Sequence, residues 1–351
     1  MRAREGRSGG CQADIMSRVL VTGGTGFVGN HVVRRLCAEG FAVRVLARPA
    51  SSRTLLEGLP VEVVSGDLTD PPSLRSAVEG CSAVFHVAAD YRLWAANPDE
   101  LYRSNVEGTE QLLHAAREAG TGRVVYTSTV GTLEFSRNGK PATEESLAEL
   151  AKLAGNYKRS KFMAEQLALR YAREGFPVVI VNPSAPVGEG DRKPTETGKM
   201  ILDFLNRKIP AYIDTGLSLV DVRDVAEGHL AAMRKGRPGE RYILGGRNMT
   251  FREILETLGR IAGLPAPALR MPYGVALCAG AVDSWLAGFL GRPPRIPLEG
   301  VKMARYKMFV SSAKAERELG YRPGPVEPAL ERAVQWFREN GYVRSKRHGR
   351  N

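Results

Sequence analysis

Cysteine and histidine are scarce in this sequence of 351 residues. The four cysteines form no C-x-x-C pair, and their wide separation argues against a disulfide scaffold. The five histidines show no spacing typical of metal ligands. We therefore expect neither a disulfide-stapled fold nor a metal site.

Long apolar runs are also missing. The longest apolar stretch, residues 273–290, is interrupted by Asp283 and several glycines, so it predicts an amphipathic helix or a helix pair rather than a membrane span. Residues 1–17 lack the apolar segment of a secretory signal. We predict that residues 1–16 are a disordered leader and that the protein is cytoplasmic.

The net charge of +12 is not gathered in one place. A basic tail, residues 344–351, contributes +4, the first 17 residues contribute +1, and the remaining +7 is scattered among acids. This distribution favours a solvated surface over a nucleic-acid site. A weak attraction to anionic lipid or to phosphorylated substrates stays open.

Short apolar strands alternate with helical patterns through the first half of the chain. We predict strands at residues 18–22, 42–47, 61–64, 83–88, 123–127 and 178–181, and helices that include 30–39, 105–119, 251–262 and 329–339. Buried strands alternating with helices indicate an α/β fold: a Rossmann-type doubly wound parallel sheet with helices on both faces. Such sheets bind ligands at the carboxyl ends of their strands.

A glycine run follows the first predicted strand and opens a helix. Gly23, Gly26 and Gly29 stand in the spacing G-x-x-G-x-x-G. Glycine permits a tight turn and lets backbone amides approach a pyrophosphate, whose charge the helix N-terminus favours. The run therefore predicts a dinucleotide site.

The end of the second strand indicates which dinucleotide binds. An acid there usually holds the ribose 2′-hydroxyl of NAD, whereas this segment has Arg44 and Arg48 and no acid. A guanidinium suits a 2′-phosphate, so NADP is preferred and NAD stays possible. Arg44 could equally be a solvent-facing strand residue. After the third strand, Asp67 is either an acceptor for the adenine amino group or a turn former.

A tyrosine and a lysine lie four residues apart in a predicted helix. Residues at i and i+4 share a helix face, so the phenol of Tyr157 and the ammonium of Lys161 are expected side by side. A lysine there would lower the tyrosine pKa towards working pH, as a general acid–base requires.

Together these motifs resemble those of the extended short-chain dehydrogenase/reductase family. The matching segments are TGGTGFVG at 22–29, GDL at 66–68, HVAA at 86–89, NVEGT at 105–109, YTST at 126–129 and YKRSK at 157–161. Within that family the sequence is most similar to hopanoid-associated sugar epimerases and dihydroflavonol 4-reductase-like enzymes. That closer likeness is carried by FHVAADYRLW at 85–94, NPSAPVG at 182–188 and YILGG at 242–246.

The resemblance implies roles for five catalytic residues. Tyr157 would be the general acid–base, and Lys161 would hold the nicotinamide ribose and depress the Tyr157 pKa. Thr129 would bind the reacting oxygen, with Ser128 beside the nicotinamide and as the alternative hydroxyl. Asn105 would be either the family's ordering asparagine or a helix N-cap.

The resemblance also implies two sets of binding residues. Those for the cofactor are Gly23, Thr25, Gly26, Phe27, Val28, Gly29, Arg48, Asp67, Leu68, Ala88, Ala89, Tyr157, Lys161 and Pro183. Those for the substrate are Tyr91, Arg92 and Ser184. The loop that carries Asp90, Tyr91, Arg92 and Trp94 either lines the substrate or is a surface loop.

The predicted organisation follows from these motifs. Residues 17–182 would form the NAD(P)-binding domain, with 220–245 returning to it, and residues 183–219 and 246–343 a smaller α/β substrate-binding part. The expected activity is NADP-dependent oxidoreduction or epimerisation of a small molecule with a hydroxyl or carbonyl group, in the manner of a hopanoid-associated sugar epimerase. The alternatives are a dihydroflavonol-, β-keto acid- or sterol-type reductase, or a non-catalytic NADP-binding regulator. A homodimer through the Tyr157 helix is expected from the resemblance.

Overall fold

The computed structural model describes residues 17–92, 97–136, 138–153, 155–290 and 298–343. The leader predicted at 1–16, the basic tail at 344–351 and Trp94 lie outside the described residues.

Strands and helices alternate along most of the chain. The strands are β1 (Arg18–Thr22), β2 (Ala42–Ala47), β3 (Val61–Ser65), β4 (Ala83–His86), β5 (Arg123–Thr127), β6 (Val178–Pro183), β7 (Ala185–Val187), β8 (Gly216–Asp221), β9 (Arg241–Leu244), β10 (Arg247–Thr250) and β11 (Lys307–Met308). The helices are α1 (Phe27–Ala38), α2 (Pro71–Val78), α3 (Asp99–Tyr102), α4 (Gly108–Glu118), α5 (Asn156–Arg173), α6 (Glu196–Leu205), α7 (Val222–Lys235), α8 (Phe251–Ala262), α9 (Tyr273–Phe289), α10 (Leu298–Met303), α11 (Ala313–Leu319) and α12 (Glu327–Glu339).

Seven parallel strands form the main sheet, in the order β3-β2-β1-β4-β5-β6-β9. The strand order reverses between β1 and β4, and that switch point is where doubly wound sheets bind ligands. The predicted α/β class is therefore confirmed. β4 ends at His86 rather than at the predicted residue 88, because the chain turns there to pack over the glycine run.

Apolar residues cover both faces of this sheet, as its parallel strands require. In β1, Val19 and Val21 pack towards α1 and α7, and Leu20 packs towards α2, α4 and α5. All three side chains are completely buried. The alternating sides explain why each strand is apolar along its whole length.

A smaller sheet lies beyond β6. β8 pairs with β7 and β11 in parallel and with β10 in antiparallel fashion, and this sheet packs with α6, α8 and α12 around a separate apolar core. The chain crosses between the sheets, because β9 joins the main sheet while β8 and β10 belong to the smaller one.

Local sequence signals set the bounds of several helices. α8 covers the predicted residues 251–262, and a capping box formed by Thr250 and Glu253 begins it. α5 begins after Gly155, whose φ of +84° few other residues adopt. Residues 273–289 form one helix, not a pair. Among the described residues, no helix has the length and apolar character needed to cross a membrane.

Candidate active site

The candidate residues meet at the carboxyl ends of four neighbouring strands. β1, β4, β5 and β6 lie side by side in the sheet, and each is followed directly by residues singled out in the sequence. These are Gly23 after β1, Ala88 after β4, Ser128 and Thr129 after β5, and Ser184 after β6. Since parallel strands end at the same edge, the topology brings these distant segments together.

The glycine run forms a tight turn in which side chains would not fit. Gly26 N donates to Gly23 O at 2.9 Å. A Cβ on Gly23 would lie 2.6 Å from Ala88 N, and a Cβ on Gly29 would lie 2.1 Å from Gly23 O. Thr25 stands within this turn, and Phe27 and Val28 begin α1, so the first turn of the helix opens directly onto it. This cradle fits a dinucleotide pyrophosphate.

Arg44 is a structural residue, which corrects the alternatives weighed for it. Its side chain is buried, pairs with Glu62 at 3.0 Å and donates to Ala77 O and Glu79 O at 2.9 Å each. It therefore holds β2 to β3 and to the end of α2 and neither faces solvent nor reaches a cofactor. Arg48 follows β2 and is exposed.

Asp67 and Leu68 follow β3 in a tight turn. One carboxylate oxygen of Asp67 accepts from Thr69 N at 2.9 Å and from Thr69 Oγ1 at 2.7 Å, so this residue forms a turn. Leu68 is buried against α4, where a Cβ on Gly108 would lie 2.7 Å from the Leu68 Cβ.

Thr129 lies beside the Tyr157 hydroxyl, within reach of a side-chain hydrogen bond that acts on the Tyr157 pKa. Thr129 Oγ1 also accepts from Gly131 N at 3.0 Å, which fixes its position after β5. Burial raises the pKa of Tyr157 to about 12, and the bond from Thr129 opposes this rise. The expected lowering of that pKa is therefore wrong for this structure, because loss of water around a phenolate outweighs the favourable contacts.

Lys161 lies one turn beyond Tyr157 and is 2% exposed. Its Nζ donates to Tyr126 Oη at 2.8 Å and to Thr127 O at 2.7 Å, and it lies 4.4 Å from the centre of the Tyr126 ring. Burial lowers the pKa of Lys161 to about 7. The ammonium is thus held against the end of β5, two residues before Thr129.

Asn105 is buried inside a helix and is not an N-cap. It lies in a π-helical turn, Arg103–Glu107, between α3 and α4. Its amide nitrogen donates to Asp90 O at 2.9 Å and to Ser160 Oγ at 3.0 Å, and its oxygen accepts from Asp90 N at 2.7 Å. Ser160 Oγ in turn donates to Tyr157 O at 2.9 Å. Asn105 therefore joins the loop after β4 to the first turn of α5.

Two serines carry buried hydroxyls with no hydrogen-bond partner among the described residues. Ser128 and Ser184 follow β5 and β6, and Asn182 Oδ1 near the end of β6 is likewise unsatisfied. Buried polar atoms are normally paired, so three of them at one sheet edge mark a place for a polar ligand. Pro183 ends β6 beside them.

The loop after β4 places Tyr91 and Arg92 differently. Tyr91 Oη donates to Lys193 O at 2.9 Å, and Tyr91 is close enough to Tyr157 to raise its pKa. Arg92 pairs with Asp90 at 2.6 Å and with Glu100 at 2.9 Å. The guanidinium suggested for an anionic substrate is therefore already engaged by two carboxylates.

A chain of buried polar side chains that was not predicted from the sequence lies behind the site. Glu165 pairs with Arg241 at 2.6 Å and accepts from Asn182 Nδ2 at 2.9 Å, while Asn182 Nδ2 also donates to Thr129 O at 3.1 Å. Glu165 stands four residues after Lys161, and this helical spacing was the signal in the sequence that both side chains share one face of α5. Its partners come from distant strands and were not readable from spacing.

The histidine at the end of β4 is also structural. His86 joins Thr22 Oγ1 at 2.8 Å and Thr109 Oγ1 at 2.9 Å, and burial lowers its pKa to about 3. Neutral His86 thus ties β1 to α4 beneath the glycine turn. Among the described residues, no group of histidine, cysteine and acidic side chains could hold a metal ion.

Comparison with known proteins identifies the family. Residues 19–245 match the model of the NAD dependent epimerase/dehydratase family. The chain belongs to that family. It is an NAD(P)-dependent enzyme of the extended short-chain dehydrogenase/reductase type.

Similar proteins cover nearly its whole length. A Synechocystis protein named "Putative dihydroflavonol 4-reductase" is 46% identical over 93% of this chain and 96% of its own. The "Sterol demethylase protein B" of Methylococcus capsulatus is 36% identical over 92% of this chain and 99% of its own. The crystal structure of gox2253 superposes with a TM-score of 0.84 at 44% identity, covering 93% of this chain and 100% of that one.

Proposed function

We propose that this enzyme interconverts a secondary alcohol and a ketone on a largely apolar substrate, using NADP. The observation that carries the proposal is the Tyr157 hydroxyl beside Thr129, with buried Lys161 one turn away. Two neighbouring hydroxyls suit the recognition and protonation of a carbonyl oxygen.

The raised pKa of Tyr157 favours its role as a proton donor. With a pKa of about 12, the phenol holds its proton at neutral pH and can deliver it to the oxygen of a ketone. Thr129 Oγ1 accepts from Gly131 N, which leaves its own proton free for Tyr157 or for the substrate oxygen. Lys161, held by Tyr126 Oη and Thr127 O, supplies positive charge beneath this pair.

The dinucleotide supplies or accepts the hydride at the carbonyl carbon when it is bound. The turn of Gly23, Gly26 and Gly29 would receive its pyrophosphate, and Ser128 and Ser184 would meet its nicotinamide end. Reduction then balances as one hydride to carbon and one proton from Tyr157 to oxygen. The NADP preference rests on Arg48, because Arg44 is engaged within the fold.

An apolar cavity supports the choice of substrate. A space of about 360 Å³ lies between α6, α10 and the smaller sheet, and most of its walls are aliphatic or thioether side chains. These include Met200, Ile209, Ile213, Leu217, Val301, Met303 and Met308. Glu196, one of its lining residues, contributes to the raised pKa of Tyr91, which itself contributes to that of Tyr157. We propose that the residues at 183–219 and 246–343 bind substrate through this cavity.

A substrate screen tests the proposal. NADPH oxidation, followed by absorbance, is measured with polycyclic and terpenoid ketones and with nucleotide sugars. We expect turnover of the apolar ketones. Exclusive turnover of nucleotide sugars would replace the proposal with the sugar-epimerase alternative suggested by the sequence.

The catalytic assignment is tested separately from the substrate. Tyr157→Phe is expected to lower kcat about 100- to 10,000-fold, since it removes the acid–base hydroxyl. Tyr171→Phe is the matched control, because Tyr171 is a buried tyrosine on the same helix whose ring packs against Phe176. Full activity of Tyr157→Phe would refute the assignment. NADPH binding without turnover of any substrate would favour a regulator.

The cofactor preference has its own variant. Arg48→Ala is expected to weaken NADPH binding about tenfold while leaving NADH binding unchanged. Unchanged selectivity would assign the preference to another residue. The homodimer through α5 stays a prediction from the resemblance.

A further inference from the structure

Helix α9 presents its apolar side chains to solvent. Val275, Val282, Trp285 and Phe289 are 56%, 58%, 71% and 83% exposed, respectively. Its buried positions carry small residues, among them Ala276 and Ala287. A surface helix normally turns its apolar stripe to the core and its polar residues to water. α9 is therefore inverted with respect to that pattern.

The exposed residues form one continuous stripe. Together with the exposed Cys278 they stand at positions 275, 278, 282, 285 and 289, at intervals of three and four, which places them on one side of the helix. The rings of Trp285 and Phe289 stack with their centres 6.4 Å apart. The helix contains a single charged residue, Asp283, which is only partly exposed. Such a large apolar surface on a soluble enzyme marks an interaction site.

Basic residues flank this stripe. Arg270 precedes α9 and pairs with Asp214 at 2.8 Å, and Lys302 and Arg305 follow α9 on or just after α10; all three are exposed. Residues 264–307 hold six basic and two acidic side chains, within a chain of net charge +12. An apolar stripe bearing tryptophan and flanked by lysine and arginine suits the interface of an anionic lipid bilayer.

We propose that α9 is a membrane-docking helix that lies in the headgroup region of an anionic bilayer. Trp285 and Phe289 would enter the acyl boundary, while Lys302 and Arg305 would meet lipid phosphates. The same charges disfavour a second copy of this chain as the occupant, because pairing two identical basic surfaces adds like-charge repulsion.

α9 contacts α10, the helix that lines part of the apolar cavity. Leu298 N in α10 donates to Ser284 Oγ in α9 at 3.3 Å, and α10 contributes Val301 and Met303 to the apolar cavity. Docking would thus hold this cavity close to lipid. The use of this cavity for substrate rests on the proposed function, whereas the binding of α9 to the bilayer does not.

Vesicle binding tests the proposal without any activity measurement. The full-length protein is sedimented with vesicles of phosphatidylcholine alone or of phosphatidylcholine with phosphatidylglycerol. We expect binding to the anionic vesicles, weakened at least about tenfold by the double substitution Trp285→Ser and Phe289→Ser. The matched control is Leu147→Ser with Leu150→Ser, which alters two other exposed leucines, 52% and 41% accessible, and is expected to leave binding unchanged.

Three results would overturn the proposal. The first is equal binding of the parent and the Trp285/Phe289 variant, and the second is equal binding to neutral and anionic vesicles. The third is a dimer in lipid-free solution, seen by light scattering, that the same variant splits into monomers, because α9 would then be covered by a second copy. Unchanged thermal unfolding of the variant confirms that any loss of binding reflects the surface and not the fold.

Discussion

Replacing Asn105 by alanine should lower kcat, because Asn105 helps to position Tyr157 through Ser160. Asn105 makes three hydrogen bonds of 2.7–3.0 Å to Asp90 and Ser160 while only 2% exposed. Each is worth about 1 kcal/mol net, so the free energy of unfolding should fall by about 3 kcal/mol. The larger effect should be on rate, because Ser160 donates to Tyr157 O at the start of α5. A shift of the phenol by about 1 Å can cost about 100-fold in kcat.

The assay separates positioning from simple loss of stability. Steady-state kinetics at a temperature where the variant is fully folded should show a large fall in kcat with NADPH affinity almost unchanged. Ser160→Ala, which removes the bonds of Ser160 to Asn105 and to Tyr157 O but keeps those of Asn105 to Asp90, should give a smaller fall in the same direction. Thr257→Val is the control, since Thr257 is also buried and hydrogen-bonded but lies in α8. If Asn105→Ala lost stability yet kept its kcat, the positioning role would be refuted.

Two further substitutions and one change of pH test other parts of the structure. Gly29→Ala should raise the NADPH dissociation constant at least about tenfold in a fluorescence titration, because its Cβ would lie 2.1 Å from Gly23 O. The kcat/KM for ketone reduction should fall as pH rises through about 7, since Lys161, whose pKa burial lowers to about 7, is charged below that pH and neutral above it. Glu165→Gln should lower the free energy of unfolding by about 3–5 kcal/mol in denaturant melts, because it leaves the guanidinium of Arg241 in the interior without its carboxylate.

The two substitutions have matched control variants, and the pH prediction has a result that would contradict it. Gly274→Ala should leave NADPH binding unchanged, since nothing lies within 4 Å of the added Cβ. Glu256→Gln removes an exposed i,i+4 partner of Arg252 and should change the free energy of unfolding by less than about 0.5 kcal/mol. A kcat/KM profile that stays flat through pH 7 would show that the charge of Lys161 does not limit the reaction.

The fold was readable from the sequence because its signals are local and repeated. Apolar strands alternating with helices predicted the doubly wound sheet, and the order of its strands then follows from chain topology. The helix at 251–262 was predicted to the residue, and the structure shows that a capping box of Thr250 and Glu253 begins it. The fourth strand was predicted too long, because the path after His86 depends on the glycine turn that it covers.

The site was readable only in part. Tyr157, Lys161 and the glycine spacing were visible because helical periodicity and backbone geometry place them without reference to distant residues. The partners of buried groups were not visible. Arg44 was weighed as a strand residue facing solvent or cofactor, yet it turns inward to Glu62 and to the end of α2, a choice made by packing across the sheet.

The sequence by itself therefore determined the class of fold, the dinucleotide turn and the pairing of a tyrosine with a lysine on one helix. Only the tertiary structure decided the pKa values and the contacts of those groups. Burial raises the pKa of Tyr157, lowers that of Lys161 and places Lys161 against Tyr126 from a neighbouring strand. It also decided that α9 turns its apolar residues outward. The reason is common to all of these: desolvation depends on which distant segments close around a residue, and spacing along the chain does not encode that.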